Sequence, residues 1–577
     1  MPHLTKEQKK VIETWKNNLS IIAGAGTGKT FTLVEKIKYG LENNIINEHN
    51  VLVLTFTRNA VEELKERIGN PNVTVHTFHS LMYEMYRKAI QKNIPIILDS
   101  NKNIIIKKIV NKLKKNQPKL VSIDLPIKKI IERIDIIIND YNDIENDIIV
   151  SEYINELENL GVTDFSTVQY FAIKYFENVK HLYDRFTDIF VDEFQDTSMI
   201  QLELLKKFKM TKDRYFYFIG DPRQSIYQWR GAYPFIFDDV VKYFNTKILN
   251  LSYSFRNPNN VLQIANLVHN GYKPLKSAKN YDGEILLFRS HNASIEAYTI
   301  INHIANLLGE GYNYEDIAIL YRKNFIGKYL ESYLIQHEIP YKIYNGVSFF
   351  NRMEIKSFIN FLYLLMSPTD YSAFLYIKDL YGIKGIGVKS LENKNVIDYL
   401  KNKKKTTQEI INFINYYEKA LSYYNNENLE GVYDVFLSSI DFMNQFKEEE
   451  ERIQNLMLLK TFISKNNSID KFMEFILASN AMAEKTDGNH IKLMSIHAAK
   501  GLEFPIVFLV GLEDTILPDN YNDNENEEDN LFYVAITRTK EKLYMFYSAQ
   551  RYNYEVITLY PSKYVTFLRK NNIQSFN

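Results

Sequence analysis

Residues 21–30, IIAGAGTGKT, join a short apolar run to a helix start through a glycine-rich turn. The backbone N–H groups of such a turn, together with the N-terminus of the helix that follows, can surround phosphate oxygens. The stretch departs from the usual phosphate-loop pattern at its first position, which is alanine instead of glycine. We expect Lys29 to reach the β- and γ-phosphates and Thr30 to hold Mg²⁺. The residues predicted to contact the nucleotide phosphates are Ala23, Gly24, Ala25, Gly26, Thr27, Gly28, Lys29 and Thr30.

A second apolar run, residues 187–193 (TDIFVDE), ends in two carboxylates. We expect Asp192 to hold Mg²⁺, directly or through water, and Glu193 to position and polarise an attacking water. A pair of acids at a strand end can also cap a helix, but the presence of Lys29 in the same chain favours the catalytic interpretation. Together the two stretches predict a protein that binds and hydrolyses a nucleoside triphosphate.

Short apolar runs, rich in β-branched and aromatic residues, occur in two sets that are typical of buried parallel strands. A long, mainly helical segment interrupts each set, which indicates an α/β fold with two cores that each carry a helical insertion. The predicted boundaries are 1–86 and 184–272 for the first core, 87–183 for its insertion, 273–366 and 486–577 for the second core, and 367–485 for its insertion. The predicted strands are 19–23, 51–56, 189–191, 215–219, 248–251, 285–288, 317–321, 341–344, 491–496, 506–510 and 543–547.

Composition narrows the class of protein without indicating a partner. The longest apolar stretch, 358–366, is far shorter than the roughly 20 residues that a membrane span needs, and the first residues do not form a secretion signal. We therefore expect no membrane association and a cytoplasmic location, which the absence of cysteine permits.

The net charge does not indicate a partner, because Lys+Arg and Asp+Glu balance at 70 each. The lysine-rich segment 102–129 is either a solvated helix face or a surface that follows phosphates, and the acidic stretch 519–529 is expected to be a solvent loop.

Two further stretches carry a resemblance to a known family. Residues 192–197 (DEFQDT) and 220–232 (GDPRQSIYQWRGA) resemble the second and third motifs of the UvrD/Rep family of superfamily 1 DNA helicases. The resemblance implies that the two cores are RecA-like parallel-sheet domains, the first of which holds the phosphate loop. Further stretches resemble the other family motifs in family order: 4–8, 54–60, 76–80, 251–257, 345–356, 385–387, 495–504 and 531–538.

The resemblance implies ATP as the nucleotide, with Mg²⁺, in a cleft between the two cores. Hydrolysis there requires cations that stabilise charge on the γ-phosphate from the far side of the cleft. Arg256 and Arg538 match the family positions for this role, with Arg538 as the arginine finger. Gln224 matches the residue that senses the γ-phosphate and signals to the DNA side. The residues implied to contact the adenine and ribose are Gln8, Phe255 and Glu503.

Single-strand tracking needs flat side chains on which bases of any identity can stack. Trp229 is one of only two tryptophans and lies in the third motif close to Gln224, which favours base stacking over a place in the core. Phe56 and Tyr227 are the other candidate stacking residues. The candidate polar contacts to DNA are Thr57, His79 and Arg230.

The function that the resemblance implies is an ATP-dependent DNA helicase or translocase that moves 3′→5′ on single-stranded DNA. It would act in DNA repair, replication or defence. Its expected partners are single-stranded DNA and single-strand/double-strand junctions, with a nuclease or repair protein as a further partner, and it would act as a monomer or a DNA-induced dimer. The alternatives are a helicase subunit of a nuclease complex, a motor that displaces proteins without strong unwinding, and a non-motor P-loop enzyme such as a kinase. The joint presence of Gln224 and Arg538 argues against the kinase.

Overall fold

A computed structural model describes residues 4–116, 125–141, 144–344, 346–392, 394–403, 406–439, 450–466, 468–484, 488–519, 525–553, 555–571 and 575–576. Position 345, in the stretch 345–356 that carries part of the resemblance, lies outside these residues. Within the described ranges, no helix combines the length and the apolar character that crossing a bilayer requires. The chain divides into two compact units, Met1–Gly283 with Asn522–Glu541 and Glu284–Tyr521 with Lys542–Asn577.

The first unit is built on a parallel sheet of six strands in the order β3-β2-β4-β5-β1-β6. Almost every residue of β1, β2 and β4 is buried, as expected for strands that have helices on both faces. All five predicted strands of this core are confirmed, and β3 is an addition that periodicity did not predict. The strands of the unit are β1 (Leu19–Ala23), β2 (Val51–Thr55), β3 (Thr74–Thr77), β4 (Asp188–Val191), β5 (Tyr215–Gly220), β6 (Lys247–Leu251), and a separate parallel pair, β7 (Tyr253–Ser254) and β8 (Lys276–Ser277).

Helices surround this sheet and fill the sequence between β3 and β4, which confirms a mainly helical insertion. Its apolar core includes Ile130, Tyr153 and Phe171. The helices of the first unit are Lys6–Glu13, Lys29–Glu42, Arg58–Ile68, Phe78–Ile90, Asp99–Asn116, Ile127–Asp140, Ile148–Leu160, Thr167–Lys174, Phe176–Tyr183, Met199–Thr211, Ile236–Phe244, Asn259–Val268 and Glu525–Ile536, with short 3₁₀ turns at Glu48–Asn50, Phe194–Asp196, Pro222–Gln224 and Gln228–Arg230.

The second unit contains a seven-stranded sheet in the order β11-β12-β10-β13-β14-β9-β17. The strand pairs whose register is described run parallel, so the prediction of a second parallel-sheet core is confirmed. Its strands are β9 (Glu284–Ser290), β10 (Ile317–Tyr321), β11 (Tyr341–Tyr344), β12 (Ile491–Ser495), β13 (Phe504–Val510), β14 (Thr539–Ser548, which begins in the first unit), β17 (Ser575–Phe576), and an antiparallel hairpin of β15 (Gln550–Asn553) and β16 (Glu555–Thr558).

The sequence between β11 and β12 is helical, which confirms the second insertion. The helices of this unit are Ala293–Gly309, Asn324–Gln336, Met353–Met366, Tyr371–Ile377, Val388–Leu391, Val396–Lys401, Gln408–Asn425, Leu429–Ser439, Glu450–Lys465, Ile469–Glu484 and Lys563–Lys570, with 3₁₀ turns at Tyr314–Asp316 and Phe349–Asn351.

The division between the units differs from the predicted boundaries in two places. It falls after Gly283 instead of after residue 272, and Asn522–Glu541, which the sequence interpretation assigned to the second core, groups with the first unit. The physical reason is direct bonding of this segment to the first unit. The Asn530 amide donates to the carbonyl oxygen of Ser225 at 2.8 Å, and the Tyr281 hydroxyl donates to the carbonyl oxygen of Lys540.

The expectation that the acidic stretch 519–529 forms a solvent loop is wrong for its second half. Helix Glu525–Ile536 begins there, and Glu527 and Glu528 are buried. The reason is a specific contact, because the Glu527 carboxylate accepts the backbone N–H of Gln228 at 3.0 Å. Residues 520–524 lie outside the described part of the chain.

Candidate nucleotide site and nucleic-acid interface

The glycine-rich loop follows β1 directly and leads into helix Lys29–Glu42. Gly26 and Gly28 have φ values of +70° and +78°, a region that glycine enters without strain. Close approach also demands glycine at position 26, because a Cβ there would lie 2.4 Å from the Ser254 hydroxyl and 2.6 Å from the Arg256 Cβ. The first turn of the helix leaves backbone N–H groups that an anion can satisfy. The loop therefore has the geometry of a phosphate-binding site.

The two carboxylates that follow β4 lie beside this loop, as the sequence predicted. The Lys29 ammonium is 3.4 Å from the Glu193 carboxylate, and the Thr30 hydroxyl is 3.4 Å from the Asp192 carboxylate. Burial and the neighbouring Glu193 raise the pKa of Asp192, although Lys29 opposes the shift. A divalent cation at Asp192 would relieve this unfavourable environment. One buried carboxylate and one hydroxyl suit Mg²⁺, which takes few protein oxygens and completes its shell with phosphates and water.

Two of the predicted adenosine contacts lie against the phosphate loop. The Gln8 amide donates to the carbonyl oxygen of Thr27 at 3.3 Å, and a capping box with Thr5 holds its helix start. Phe255 is 42% exposed, and its backbone N–H donates to the carbonyl oxygen of Gly26 at 2.8 Å. An exposed ring fixed to the loop backbone is available for stacking on a base. Glu503, the predicted ribose contact, is an exposed residue of the second unit.

Asp221, which follows β5, is hydrogen-bonded to four residues in the interior of the first unit. Its side chain accepts from the Arg223 guanidinium at 2.7 Å, the Gln224 amide at 2.9 Å and the Tyr533 hydroxyl at 3.0 Å. Its backbone N–H donates to the Gln195 amide oxygen at 2.9 Å. Burial raises the pKa of Asp221, but Arg223 and Lys29 more than offset this and the pKa is lowered overall. Asp221 is therefore an ionised acceptor that fixes the Gln224 side chain.

Gln195 connects this network to the proposed catalytic acid. Its amide nitrogen donates to the Glu193 carboxylate at 2.6 Å, while its amide oxygen accepts the Asp221 N–H. A Cβ at Gly220 would lie 2.3 Å from the Gln195 amide oxygen, so only glycine permits this approach. Glu193, Gln195, Asp221 and Gln224 thus form one continuous hydrogen-bonded series from the phosphate site to the third motif.

Tyr533 is a site residue that the sequence interpretation missed. Its fully buried hydroxyl donates to Asp221 and accepts the backbone N–H of Ala25 in the phosphate loop at 3.2 Å. Burial raises the pKa of Tyr533, so the phenol stays protonated and can donate. The residue lies in the stretch that resembles the sixth motif, but nothing in its position along the chain indicates a contact with a loop 508 residues away.

Both predicted arginines belong to the same unit as the phosphate loop. The predicted boundaries placed Arg256 in this core, but they placed Arg538 in the second core. Arg256 donates to the carbonyl oxygen of Thr537 at 3.3 Å, and the Asn257 amide donates to the same oxygen at 3.0 Å. The buried Arg538 guanidinium donates to the carbonyl oxygen of Val534 at 2.9 Å. The bonds from Arg256 and Asn257 attach the sixth-motif segment to the chain around Arg256, which explains the grouping. Arg256 also lies against Gly26.

An aromatic cleft of about 770 Å³ lies in the first unit, between the core and its helical insertion. Phe56 and Tyr227 stack within it, with ring centroids 5.6 Å apart and planes 10° from parallel. Trp229 is 56% exposed, so it is not a core aromatic. All three predicted stacking residues therefore share one cleft. Its lining residues are Phe56, His79, Glu132, Asp135, Ile136, Asn139, Phe165, Ser166, Gln169, Asp196, Ser198, Gln201, Tyr227, Trp229 and Ala232.

Phe165 is a second residue that the sequence interpretation missed. It is 59% exposed in the cleft and meets the predicted contact His79 edge to face, with centroids 6.4 Å apart. Burial lowers the pKa of His79, so this ring is neutral at pH 7. In a chain with 36 phenylalanines, a single Phe between polar residues carries no signal in the sequence.

Among the described side chains that line the cleft there is no lysine or arginine, whereas Glu132, Asp135 and Asp196 are carboxylates. Aromatic faces and negative charge favour neutral, flat bases over phosphates. Thr57, a predicted DNA contact, is exposed and caps helix Arg58–Ile68 by accepting the N–H of Ala60 at 3.1 Å. The Arg230 side chain lies outside the described part of the chain.

Several side chains of the lysine-rich segment 102–129 form ion pairs. Lys108 and Lys112 form ion pairs of 2.6 and 2.7 Å with Glu156 and Glu152, on the neighbouring helix of the insertion. Lys102 is buried between two aspartates. For these residues the structure supports the solvated or paired helix face over a surface that follows phosphates. Lys119, which also belongs to this segment, lies outside the described residues.

A phosphate loop after β1, paired acids after β4 and a sheet of parallel strands define a P-loop nucleoside triphosphatase. Residues 4–245 match the UvrD/REP helicase N-terminal domain, and residues 248–550 match the UvrD-like helicase C-terminal domain. The chain therefore belongs to the UvrD/Rep helicase family, and it is an ATP-dependent DNA helicase.

Individual relatives cover nearly the whole chain. The ATP-dependent DNA helicase Rep of Buchnera aphidicola subsp. Baizongia pistaciae is 30% identical over 98% of this chain and 95% of its own length. Rep of Buchnera aphidicola subsp. Schizaphis graminum is 28% identical over 99% of this chain and 97% of its own length. The ATP-dependent DNA helicase PcrA of Staphylococcus aureus (strain COL) is 28% identical over 95% of this chain and 84% of its own length.

Proposed function

We propose that this helicase moves 3′→5′ along single-stranded DNA and opens single-strand/double-strand junctions during DNA repair or replication, in the cytoplasm. The observation that carries the proposal is the hydrogen-bonded series from Glu193 through Gln195 and Asp221 to Gln224. The Trp229 segment follows Gln224 directly in the chain, so the series runs from the phosphate site towards the aromatic cleft. The names of the Rep and PcrA relatives support DNA as the substrate.

In the nucleotide site, the loop backbone and Lys29 bind the triphosphate, and Gln8 and Phe255 bind the adenosine end. Thr30 and Asp192 would hold Mg²⁺, which supplies positive charge at the β- and γ-phosphates. Glu193 orients the attacking water and accepts its proton, and the Gln195 amide keeps the carboxylate in place. Arg256 and Arg538 are proposed to stabilise negative charge on the γ-phosphate.

In the cleft, bases stack on Phe56, Tyr227 and Trp229, while phosphates stay outside the carboxylate-lined space. Stacking accepts every base, so the cleft suits a motor that moves along any sequence. Thr57, His79 and Arg230 are proposed as polar contacts to the same strand. Three expectations from the sequence also belong to this proposal. The chain is divided into two cores and two insertions, it acts as a monomer or a DNA-induced dimer, and a nuclease or repair protein is a further partner.

The test of the proposed function is ATP turnover by the whole chain with and without a single-stranded oligonucleotide. We expect the rate to rise several-fold with single-stranded DNA, and to rise much less with blunt duplex of the same length, because the cleft accepts unpaired bases. A rate that is equal in all three conditions would refute the proposed coupling between the cleft and the nucleotide site.

The direction of movement is a separate prediction. With ATP, we expect strand displacement on duplexes that carry a 3′ single-stranded tail and little on duplexes that carry a 5′ tail of the same sequence. The measurement is release of a fluorophore-labelled strand, with a blunt duplex as the control. Displacement confined to the 5′-tailed duplex would reverse the proposed polarity and leave the ATPase assignment unaffected.

A further inference from the structure

A series of three side-chain amides links the core to the helical insertion along the cleft. The Gln201 amide nitrogen donates to the Gln169 amide oxygen at 2.9 Å, and the Gln169 amide nitrogen donates to the Asn139 amide oxygen at 3.0 Å. All three residues line the cleft, and Gln169 and Gln201 are buried. Buried amides are costly unless they are paired, so each of these groups depends on its neighbour.

A backbone atom sets the direction of this amide series. The N–H of Ser198 donates to the Gln201 amide oxygen at 3.3 Å, and a backbone N–H can only donate. Gln201 must then present its nitrogen to Gln169, and Gln169 must present its nitrogen to Asn139. Reversal of any one amide would place two donors or two acceptors face to face. Ser198 therefore orders the amides as far as Asn139.

The far end of the amide series supports the segment that carries Trp229. Gly231 has a φ of +89°, and a Cβ at this position would lie 2.6 Å from the Asn139 Cβ. The glycine backbone thus packs directly on the Asn139 side chain, two residues after Trp229. Any change in the Asn139 side chain alters the surface on which this backbone rests.

At the other end of the amide series, next to Ser198, backbone hydrogen bonds hold the same segment. Ser198 and Ala232 form an antiparallel bridge, and the Tyr233 N–H donates to the carbonyl oxygen of Thr197 at 3.1 Å. Ser198 also lies only five residues after Glu193, directly after the second-motif stretch 192–197. The amide series and this bridge therefore connect the chain after the catalytic acid with the loop that carries Trp229.

We propose that Asn139, Gln169 and Gln201 are positioning residues that set the orientation of Trp229 in the cleft. The inference rests on the proposed role of Trp229 as a surface for base stacking. Two of these amides, Asn139 and Gln169, belong to the helical insertion, and they thereby determine how an exposed aromatic of the first core meets DNA.

The chain contains two tryptophans, so Trp15→Phe leaves Trp229 as the single indole reporter. In this background we expect Asn139→Ala to raise the acrylamide quenching constant of Trp229 in the absence of DNA, because the Gln169 amide loses its acceptor. Asn139→Asp keeps an acceptor oxygen for Gln169 and should keep the parent quenching constant. Asn178→Ala, an exposed amide of the same insertion, is the matched control and should also keep it.

Two outcomes would overturn the proposal. In the first, Asn139→Ala has the same quenching constant as the parent, and in the second, Asn139→Ala and Asn139→Asp raise the quenching constant equally. Gln169→Met, which removes both amide bonds in the middle of the series, is a second variant and should raise the quenching constant as Asn139→Ala does. Addition of a thymidine oligonucleotide to the Trp15→Phe parent tests the underlying function separately. If the oligonucleotide leaves Trp229 emission unchanged, the stacking role fails while the DNA-free comparison still decides the positioning role.

Discussion

Glu193→Gln is expected to lower ATP turnover by roughly 10²- to 10⁴-fold, because an amide cannot accept the proton of the attacking water. Nucleotide binding should persist, since Lys29 and the loop backbone are unchanged and the new side chain can still accept from Gln195. The measurement is the turnover rate with saturating single-stranded DNA, together with the dissociation constant of a fluorescent ATP analogue. Glu62→Gln, on exposed helix surface in the same unit, is the matched control and should change neither quantity.

Comparison with Lys29→Ala separates catalysis from binding. Lys29→Ala should weaken binding of the analogue and abolish turnover, because the ammonium that meets the triphosphate is removed. Lys38→Ala, on the same helix, is its control. Weak analogue binding by Glu193→Gln as well would contradict the assignment of Glu193 to the water and would indicate a structural role for its contact with Lys29.

Trp229→Ala is expected to weaken binding to single-stranded DNA by roughly 5- to 150-fold, the equivalent of about 1–3 kcal/mol for one stacked base. The loss of ATPase rate should be confined to the DNA-dependent part, because Trp229 lies in the cleft and not in the nucleotide site. Fluorescence anisotropy of a labelled thymidine oligonucleotide measures the first effect, and ATP turnover across a DNA titration measures the second.

Phe235→Ala is the matched control for Trp229→Ala. Phe235 is 59% exposed, close to the 56% of Trp229, but it is not a lining residue of the cleft. Its removal should leave DNA binding near the parent value. Similar losses of DNA affinity for both variants would mean that exposed aromatics in this region bind DNA without a defined cleft. If Trp229→Ala lowered the DNA-free and the DNA-dependent ATPase rates equally, Trp229 would instead support the fold.

Much of the nucleotide site was predictable because short-range chemistry defines it. A glycine-rich turn between a strand and a helix has few conformations, so Gly26, Gly28 and Lys29 are placed by their local sequence alone. The pairing of Thr30 with Asp192 was also predictable, since parallel strands bring their carboxyl ends to one edge of a sheet. The eleven predicted strands follow from dense apolar runs, whereas β3 (TVHT) was missed because it is short and partly polar.

The contacts that depend on distant parts of the chain were not predictable from local pattern. Tyr533, Phe165 and the amides of Gln169 and Gln201 carry no distinguishing spacing, and their partners lie tens to hundreds of residues away. The helix formed by the acidic residues after position 525 was predicted incorrectly, and the grouping of Arg538 with the phosphate loop was not predicted. In both cases specific hydrogen bonds connect the segment to the 220–257 region.

Sequence was therefore sufficient for the α/β class, the phosphate loop, the acid pair and the family, because each depends on residue types at fixed short spacings. Folding was needed to bring Phe56, Tyr227 and Trp229 into one cleft, to bury Asp221 among four hydrogen-bond partners, and to order the amides beneath the Trp229 segment. The physical reason is that these features arise from packing between segments that are remote in the chain. Buried polar groups must be paired because leaving them unpaired costs free energy, and the local sequence pattern does not indicate which partner pairs with each group.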